Sequence, residues 1–281
     1  MATGGDQILE RSNGNGAERA RVPLAEIVAL LDGELKTREI PDYGGAVNGL
    51  QIANRGSVSR VAVAVDASHQ AITSAEICQA DLLIVHHGLF WAGAQPLTGV
   101  RYDKFRGLFA SDIAVYSSHL PLDLHPELGN NIRLARALNL TPAEGAAGGF
   151  ARYKAVDIGV MGEANESTRG IVDRVAAFVA RYGGSVRTSI PAEGRTTKRW
   201  AICSGGGASS ETIAEALSKG VDTLIVGEGP HHTTVDAIES GLCIVYAGHY
   251  ATETLGVQAL GALLEARFGL PWTFLHLPTG S

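Results

Sequence analysis

The feature that most constrains the fold of this chain of 281 residues is an internal repeat. The segment from residue 60 to 123 can be laid over the segment from 199 to 253 with small gaps in the loops. In each copy, short aliphatic runs alternate with helical patterns in the order strand, helix, strand, helix, strand. The repeat therefore predicts an α/β fold made of two related lobes.

The two copies also place similar polar side chains at matching positions. His119 and Asp123 follow one apolar strand, and His249 and Glu253 follow the corresponding strand of the second copy. A spacing of four residues puts both members of a pair on one face if the pair opens a helix. Either pair alone could arise by chance, but the matched context argues for two half-sites that face each other.

A pair of adjacent histidines, His86 and His87, ends the aliphatic run Leu82 to Val85. Successive side chains of a strand point to opposite faces, so both rings can reach one site only where the strand bends into a loop. Each buried ring nitrogen also needs a partner. A metal ion would supply that partner, because histidine is the commonest metal ligand. A surface pair that caps the strand is the alternative.

These residues belong to a wider set of motifs. The set consists of Asn48-Gly49-Leu50-Gln51, the run from Ala80 to Gly88, Leu122-Asp123, Gly129-Asn130-Asn131, Gly205-Gly206-Gly207 and the stretch from Gly248 to Glu253. With these motifs the chain resembles the Nif-three-like dinuclear metal-centre family, whose bacterial members are often labelled GTP cyclohydrolase I type 2. The resemblance extends from about Leu24 to Leu270, which is nearly the whole chain.

The resemblance implies a site with five metal ligands, which are His86, His87, Asp123, His249 and Glu253. It further implies that the two carboxylates bridge two metal ions in the cleft between the lobes, and that the subunits form a homohexamer. The chain departs from its relatives in two ways. Gly88 stands where they usually have a proline, and the stretch from 148 to 199 lacks the large domain that some of them carry there.

The mixture of imidazole and carboxylate ligands limits the choice of metal. It suits zinc, manganese, iron or nickel, whereas an all-oxygen set would favour magnesium or calcium. We therefore expect two divalent transition-metal ions per subunit. Such a pair lowers the pKa of water and favours hydrolysis.

Three functions are compatible with this site. The first is a metal-dependent hydrolase of a nucleotide-like small molecule, as the cyclohydrolase label of the family suggests. The second is a phosphoesterase or amidohydrolase that acts on a different bond. The third is a non-catalytic metal-binding protein that acts through protein partners. Open coordination positions favour the first two functions, and ligands that saturate both metals favour the third.

Three further side chains of the repeat are candidates for supporting roles. His119 matches His249 and is either a ligand or a hydrogen-bond partner of one, and we favour the second role. Asp66, after the strand from 61 to 65, is a candidate to orient a histidine. Glu228 lies opposite His87 in the repeat and is a weak candidate for a general base.

The remaining candidates have simpler alternatives. His231 and His232 follow the strand that matches the His86-His87 strand, so either could donate a proton to a substrate or lie as a surface histidine. The turn from Gly205 to Gly207 could cradle a phosphate on its backbone N–H groups, or it is only a tight turn.

Composition excludes several classes of protein. The 23 basic and 29 acidic residues give a net charge of −6 without a basic cluster, which disfavours general binding to nucleic acids. No apolar stretch is long enough to cross a bilayer and no hydrophobic signal segment is present, so we expect no membrane association and a cytoplasmic location. We expect residues 1–21 to be a flexible leader, residues 22–126 plus 240–281 to form one lobe, and residues 127–239 to form the other.

Overall fold

A computed structural model describes residues 21–280 of the chain. The predicted flexible leader therefore lies outside the described residues, except for its last residue, Arg21. Among the residues described, no helix is both long enough and apolar enough to traverse a bilayer.

Strands and helices alternate along most of the chain. The strands are β1 (Val22–Pro23), β2 (Gly49–Ile52), β3 (Ser57–Val58), β4 (Val61–Asp66), β5 (Leu82–His87), β6 (Ala114–Ser117), β7 (Gly149–Tyr153), β8 (Val156–Ser167), β9 (Arg187–Thr188), β10 (Thr196–Cys203), β11 (Thr223–Val226), β12 (Cys243–Tyr246) and β13 (Trp272–Phe274). The helices are α1 (Leu24–Glu34), α2 (His69–Ile77), α3 (Gly99–Ala110), α4 (Leu120–Asp123), α5 (Asn130–Ala137), α6 (Thr168–Ala180), α7 (Ser210–Ser218), α8 (His231–Ser240), α9 (His249–Thr252) and α10 (Thr254–Phe268).

The strands form two main sheets and a small antiparallel pair of β1 and β3. The first sheet has the order β13-β4-β5-β6-β2, in which only β2 is antiparallel to its neighbour. The second sheet has the order β7-β8-β10-β11-β12-β9. Its central strands β10, β11 and β12 are parallel, and the flanking strands are antiparallel.

Helices cover both faces of each sheet, which explains why the central strands are almost wholly aliphatic. In β5, Leu82 and Ile84 face a core made with α1 and α10, whereas Leu83 and Val85 face a core made with α2 and α3. The second sheet has the same arrangement, with α5 and α6 on one face and α7 and α8 on the other. A strand buried on both faces has no need of alternating polar residues.

The observed elements confirm the mixed α/β class and the order of elements in both segments of the repeat. The predicted lobe boundary at residue 240 falls before β12, which pairs with β11 in the second sheet. The chain returns to the first sheet only with α10 and β13, because α10 packs against the core of that sheet. The division into two lobes stays a prediction. Strand pairing favours a boundary after Tyr246, where β12 ends, over one at residue 240.

We expect the core under β5 to be sensitive to truncation. Ile84 is fully buried, so Ile84→Ala removes packed methyl groups and leaves a cavity, which should lower the free energy of unfolding by about 2–5 kcal/mol. Ile77 is exposed at the end of α2, and Ile77→Ala should change it by less than about 0.5 kcal/mol. Urea denaturation measures both variants, and equal losses would contradict the assigned core.

Candidate metal centre

The carboxyl ends of parallel strands from both sheets meet at one cleft, the usual location of ligand sites in α/β folds. From the first sheet, β5 ends in His86 and His87, and β6 leads through His119 into the short helix α4, which ends at Asp123. From the second sheet, β12 leads into α9, and Glu253 follows that helix directly.

The carboxylate of Glu253 is the centre of this cluster and is only 2% exposed. Its Oε1 lies 3.4 Å from Nε2 of His86, and its Oε2 lies 3.4 Å from Nε2 of His87 and 3.2 Å from Nε2 of His249. Oδ2 of Asp123 lies 3.6 Å from Nε2 of His86. The structure thus brings all five predicted side chains together, although they come from distant parts of the chain.

The imidazoles of His86, His87 and His249 are each oriented by a hydrogen bond at Nδ1, the nitrogen that does not face Glu253. An oxygen that can only accept engages Nδ1 in each case, so Nδ1 donates and Nε2 is left free to face the cluster. The acceptors are the Ser118 carbonyl for His86 (2.9 Å), the Asp66 carboxylate for His87 (2.9 Å) and the Glu228 carboxylate for His249 (2.8 Å). This pattern is typical of histidines that bind metals through Nε2.

A fourth imidazole, that of His119, joins the cluster. Its Nδ1 lies 2.9 Å from Oδ1 of Asp42, whose side chain is 7% exposed. The other carboxylate oxygen of Asp42, Oδ2, accepts hydrogen bonds from the Leu120 amide and from Nδ2 of Asn48. Burial raises the pKa of Asp42, but the hydrogen bond and charge of His119, together with the hydrogen bonds from Asn48 and the Tyr43 amide, outweigh it and lower the pKa. His119 is therefore oriented like the other three rings.

Within the described part of the chain, two groups of three side chains have ligand atoms within 4.8 Å of one another and could hold a metal ion. One group is His87, His249 and Glu253, and the other is His86, His87 and His119. Sequence reasoning favoured a hydrogen-bonding role for His119. Its position is that of a candidate ligand, and both roles stay open.

Asp123 is held by a separate set of polar side chains. Its Oδ1 accepts hydrogen bonds from Nδ2 of Asn130 (2.8 Å) and from Oγ of Ser204 (3.2 Å). Asn131 donates to the Asp123 carbonyl and accepts from the Ser204 amide, which links α5 to the end of β10. The oxygen Oδ2 is therefore the one turned toward His86.

The charges of the cluster are strongly coupled. Burial lowers the pKa of His86, but the carboxylates of Asp123 and Glu253 outweigh it and raise the pKa to about 10. Burial likewise lowers the pKa of His249, yet the close approach of the Glu253 carboxylate, together with that of Glu228, raises it to about 9. Burial raises the pKa of Glu253, but the neighbouring His86 and His87 hold it well below its usual value. The carboxylates thus favour the charged forms of His86 and His249.

The donors fit a transition metal. Two buried ligand atoms, Nε2 of His86 and Oε2 of Glu253, have no hydrogen-bond partner among the described residues. Buried polar atoms without partners are rare, and an ion between them would satisfy both. Imidazole nitrogen together with carboxylate oxygen is the donor set of zinc, manganese, iron and nickel sites.

The supporting candidates from the sequence have different outcomes. Asp66 orients His87, as predicted. Glu228 orients His249, which differs from the predicted general base, because its carboxylate is already bonded to the imidazole. His231 and His232 are exposed in the first turn of α8, and neither is among the residues that line the cleft. Their predicted role as proton donors has no support from this placement.

Asp42, Asn130 and Ser204 were missed by sequence reasoning as site residues. Asn130 stands in a recognised motif, but nothing in the motif says what its side chain contacts. Asp42 lies in a turn-rich segment far from His119 along the chain, and no spacing or periodicity connects the two.

The cluster opens into a cleft of about 550 Å³, within the usual size range of small-molecule sites. Its lining includes polar residues such as Asn131 and Ser204 and apolar residues such as Leu120 and Ile158. Gly206 and Gly207 of the glycine turn also line the cleft. Gly205 has a φ of +61°, and a Cβ there would overlap the Glu253 carboxylate. Only glycine lets the turn approach Glu253 this closely.

An α/β protein with a buried cluster of histidines and carboxylates at its strand ends is, as a class, a candidate metalloprotein. A family model for Duf34/NIF3 (NGG1p interacting factor 3) matches residues 23–279, and the chain belongs to this family. A Deinococcus radiodurans protein called GTP cyclohydrolase 1 type 2 homolog is 38% identical over 262 residues, which are 93% of this chain and 96% of that protein. A protein of the same name from Pyrococcus abyssi is 38% identical over 260 residues, with 91% and 98% covered.

Solved structures show the same fold. The structure of protein ybgI, of unknown function, has a TM-score of 0.80 and 33% identity, and the match covers 92% of this chain and all of that one. A protein from Thermus thermophilus has a TM-score of 0.76 and 34% identity at the same coverage. These matches confirm the family resemblance that the motifs indicated.

We expect Gly205→Ala to disturb the cluster, because the new Cβ must displace the Glu253 carboxylate and the residue must keep a left-handed backbone, which costs about 1–2 kcal/mol by itself. Gly206→Ala is the matched control, since a Cβ there meets no atom within 4 Å and its φ is not in the left-handed region. Urea denaturation and elemental analysis of bound metal compare the two. Equal stability and equal metal content would contradict the close approach of Gly205 to Glu253.

The metal-free protein should lose stability as the pH rises. A histidine whose pKa is about 10 in the folded chain and about 6.5 in the unfolded chain stabilises the fold fully below pH 6.5, and this contribution disappears as the pH rises through 10. The free energy of unfolding, measured with a chelator present, should therefore fall between these two values. Glu253→Gln removes a negative charge beside His86 and should make the fall shallower. A slope unaffected by that change would refute the coupling.

Proposed function

We propose that the protein is a metal-dependent hydrolase that holds two divalent transition-metal ions in the cleft between two related α/β lobes. The ligands in this proposal are His86, His87, Asp123, His249 and Glu253. The observation that carries it is the buried carboxylate of Glu253, which faces three imidazole Nε2 atoms, each with its Nδ1 already engaged. Such a cluster of donors has little use as core packing, since it leaves buried polar atoms without partners.

When bound, the metal pair would lower the pKa of water and polarise a carbonyl or phosphoryl oxygen, which are the requirements of hydrolysis. The chain's own residues prepare the site. Asp66 and Glu228 fix the two more exposed imidazoles, His87 and His249, so that little reorganisation is needed when the ions bind. The two buried carboxylates, Asp123 and Glu253, supply negative charge that offsets part of the charge of the two cations.

A nucleotide-like substrate is the finer part of the proposal. It is supported by the name of the relatives, GTP cyclohydrolase 1 type 2 homolog, and by a cleft large enough for a small molecule. A phosphoesterase or an amidohydrolase would use the same metal chemistry on another bond. A screen of substrates therefore has to include generic phosphoesters and amides beside GTP.

The position of His119 favours a second candidate function. If His119 joins His86 and His87 as a ligand, four imidazoles and two carboxylates surround the ions and leave fewer open positions for a substrate. A site whose ligands fill the coordination of both metals suits a protein that binds metals and acts through protein partners. Substitution of His119 tests this, because loss of bound metal would favour the ligand role.

The homohexamer and the cytoplasmic location stay predictions. The first rests on the family resemblance, and light scattering of the native protein in solution tests it. A monomer would overturn the predicted homohexamer.

We expect two transition-metal ions per chain after purification with added metal. His86→Ala and Glu253→Ala should each lower that count by at least one ion, because each removes a donor between the other imidazoles. His231→Ala is the control, since this histidine is exposed and outside the cleft. Elemental analysis with a circular-dichroism check of folding gives the answer, and a folded wild-type chain without metal would refute the proposal.

The hydrolase itself is tested by turnover. Metal-loaded protein is assayed against GTP, other nucleotides, phosphoesters and amides, with Glu253→Ala as the inactive control. Hydrolysis of one class that disappears in the control is the expected result. Absence of turnover across the panel, with metal bound, would favour the non-catalytic function.

A further inference from the structure

Two large aromatic side chains stand at the mouth of the cleft, and the metal cluster does not account for them. Tyr43 is 51% exposed and Trp91 is 38% exposed, although both line the cleft beside His119. Aromatic side chains are usually well buried, because each carries a large apolar area. Here part of each ring is available to a ligand.

Both rings are built into position rather than loosely placed. Tyr43 lies in the loop between α1 and β2, and Trp91 lies in the loop after β5. Gln51 joins the two loops, since its Nε2 donates to the carbonyls of Ala46 (3.1 Å) and Val47 (2.9 Å) and its Oε1 accepts from the Leu89 amide (2.8 Å). A side chain at Gly88 would overlap the Gln51 amide, so the glycine that replaces the usual proline makes room for this link.

The second sheet supports Tyr43 from the other side. Tyr153, at the end of β7, packs against it with ring centroids 4.8 Å apart. Lys154 extends over the Tyr153 ring and donates to the Asp42 carbonyl. We call Tyr43 and Trp91 the aromatic rim. The rim therefore has contacts to residues of both main sheets.

The rim lies directly beside the imidazoles. The Trp91 ring is 4.7 Å from the His119 ring and 5.7 Å from the His87 ring, in both cases edge to face, and the Tyr43 ring is 6.0 Å from that of His119. A flat group resting on Trp91 or Tyr43 would consequently have an edge next to the metal cluster.

We propose that Trp91 and Tyr43 are specificity-determining residues that bind a planar heteroaromatic ring of the substrate by stacking. This rests on the proposed function, in that the ring belongs to the molecule on which the metal site acts. Aromatic faces attract other flat π systems and tolerate many ring types, and they offer little to a phosphate. The aromatic rim thus selects for the heteroaromatic ring of the substrate, while the bond to be hydrolysed lies at the metal cluster.

The test compares two phosphate probes, one with a heteroaromatic base and one without it. Guanosine 5′-monophosphate and ribose 5-phosphate are titrated calorimetrically into metal-loaded protein. Stacking of one base changes binding about five- to 150-fold, so the nucleotide should bind roughly ten-fold or more tightly than the sugar phosphate. Trp91→Leu and Tyr43→Leu keep apolar bulk and should each reduce that ratio several-fold, whereas Trp91→Phe should retain most of it.

Two controls separate ring binding from damage to the fold. Bound metal should be unchanged in all three variants, because neither aromatic residue supplies a ligand in the proposed site. Trp91 is the tryptophan exposed at the cleft, whereas Trp200 is fully buried and Trp272 lies on β13. The nucleotide should therefore quench tryptophan fluorescence in the wild type and not in Trp91→Phe.

The outcomes distinguish this inference from the hydrolase proposal. Equal affinity for the two probes, no binding of the nucleotide, or a ratio unaffected by both leucine variants would overturn the stacking role, even if the protein hydrolyses a phosphoester. Conversely, ring-dependent binding that requires Trp91 and Tyr43 supports it even if no substrate is turned over.

Discussion

The arrangement of the site depends on a carboxylate that is almost completely buried. Glu253 is 2% exposed, and an isolated buried charge is among the most costly features that a fold can contain. Its cost is offset by imidazoles from two sheets, and these need their own acceptors to present the correct nitrogen. Asp66 at the end of β4 and Glu228 after β11 supply these acceptors for His87 and His249.

Parallel strands are the means by which distant residues meet. The backbone ladders of β4, β5 and β6 and of β10, β11 and β12 bring several carboxyl ends to a common edge in each sheet. Rigid strands fix where each loop begins, while the loops carry the polar groups. This division is common in α/β folds, in which a packed core positions variable loop residues.

The sequence is sufficient to predict the central strands, the mixed α/β class and the convergence of the histidines and carboxylates. Leu82 to Val85 and Leu224 to Val226 are recognisable because burial on both faces leaves continuous aliphatic runs. Asp42 and Tyr43 are different. They occupy a loop without periodicity, and their contacts with His119 depend on how that loop folds over the sheet, which a local pattern cannot encode.

The edge strands show the same limit. β2 and β9 run antiparallel to their neighbours, and β13 joins the first sheet from the far end of the chain. None of them has a distinctive run of residues, and each pairs with a strand that a local pattern does not identify. The pairing of β12 with β11, beyond the predicted lobe boundary at residue 240, likewise depends on contacts between strands.

The side-chain amide of Asn131 has a consequence for the opening of the cleft. It is 1% exposed and bonds the Asp123 carbonyl, the Ile158 carbonyl and the Ser204 amide, so three elements share a single planar group. A tilt of one sheet against the other by an ångström would break several of these bonds together. These bonds therefore hold the two sides of the cleft at a fixed separation, which favours flat ligands over bulky ones.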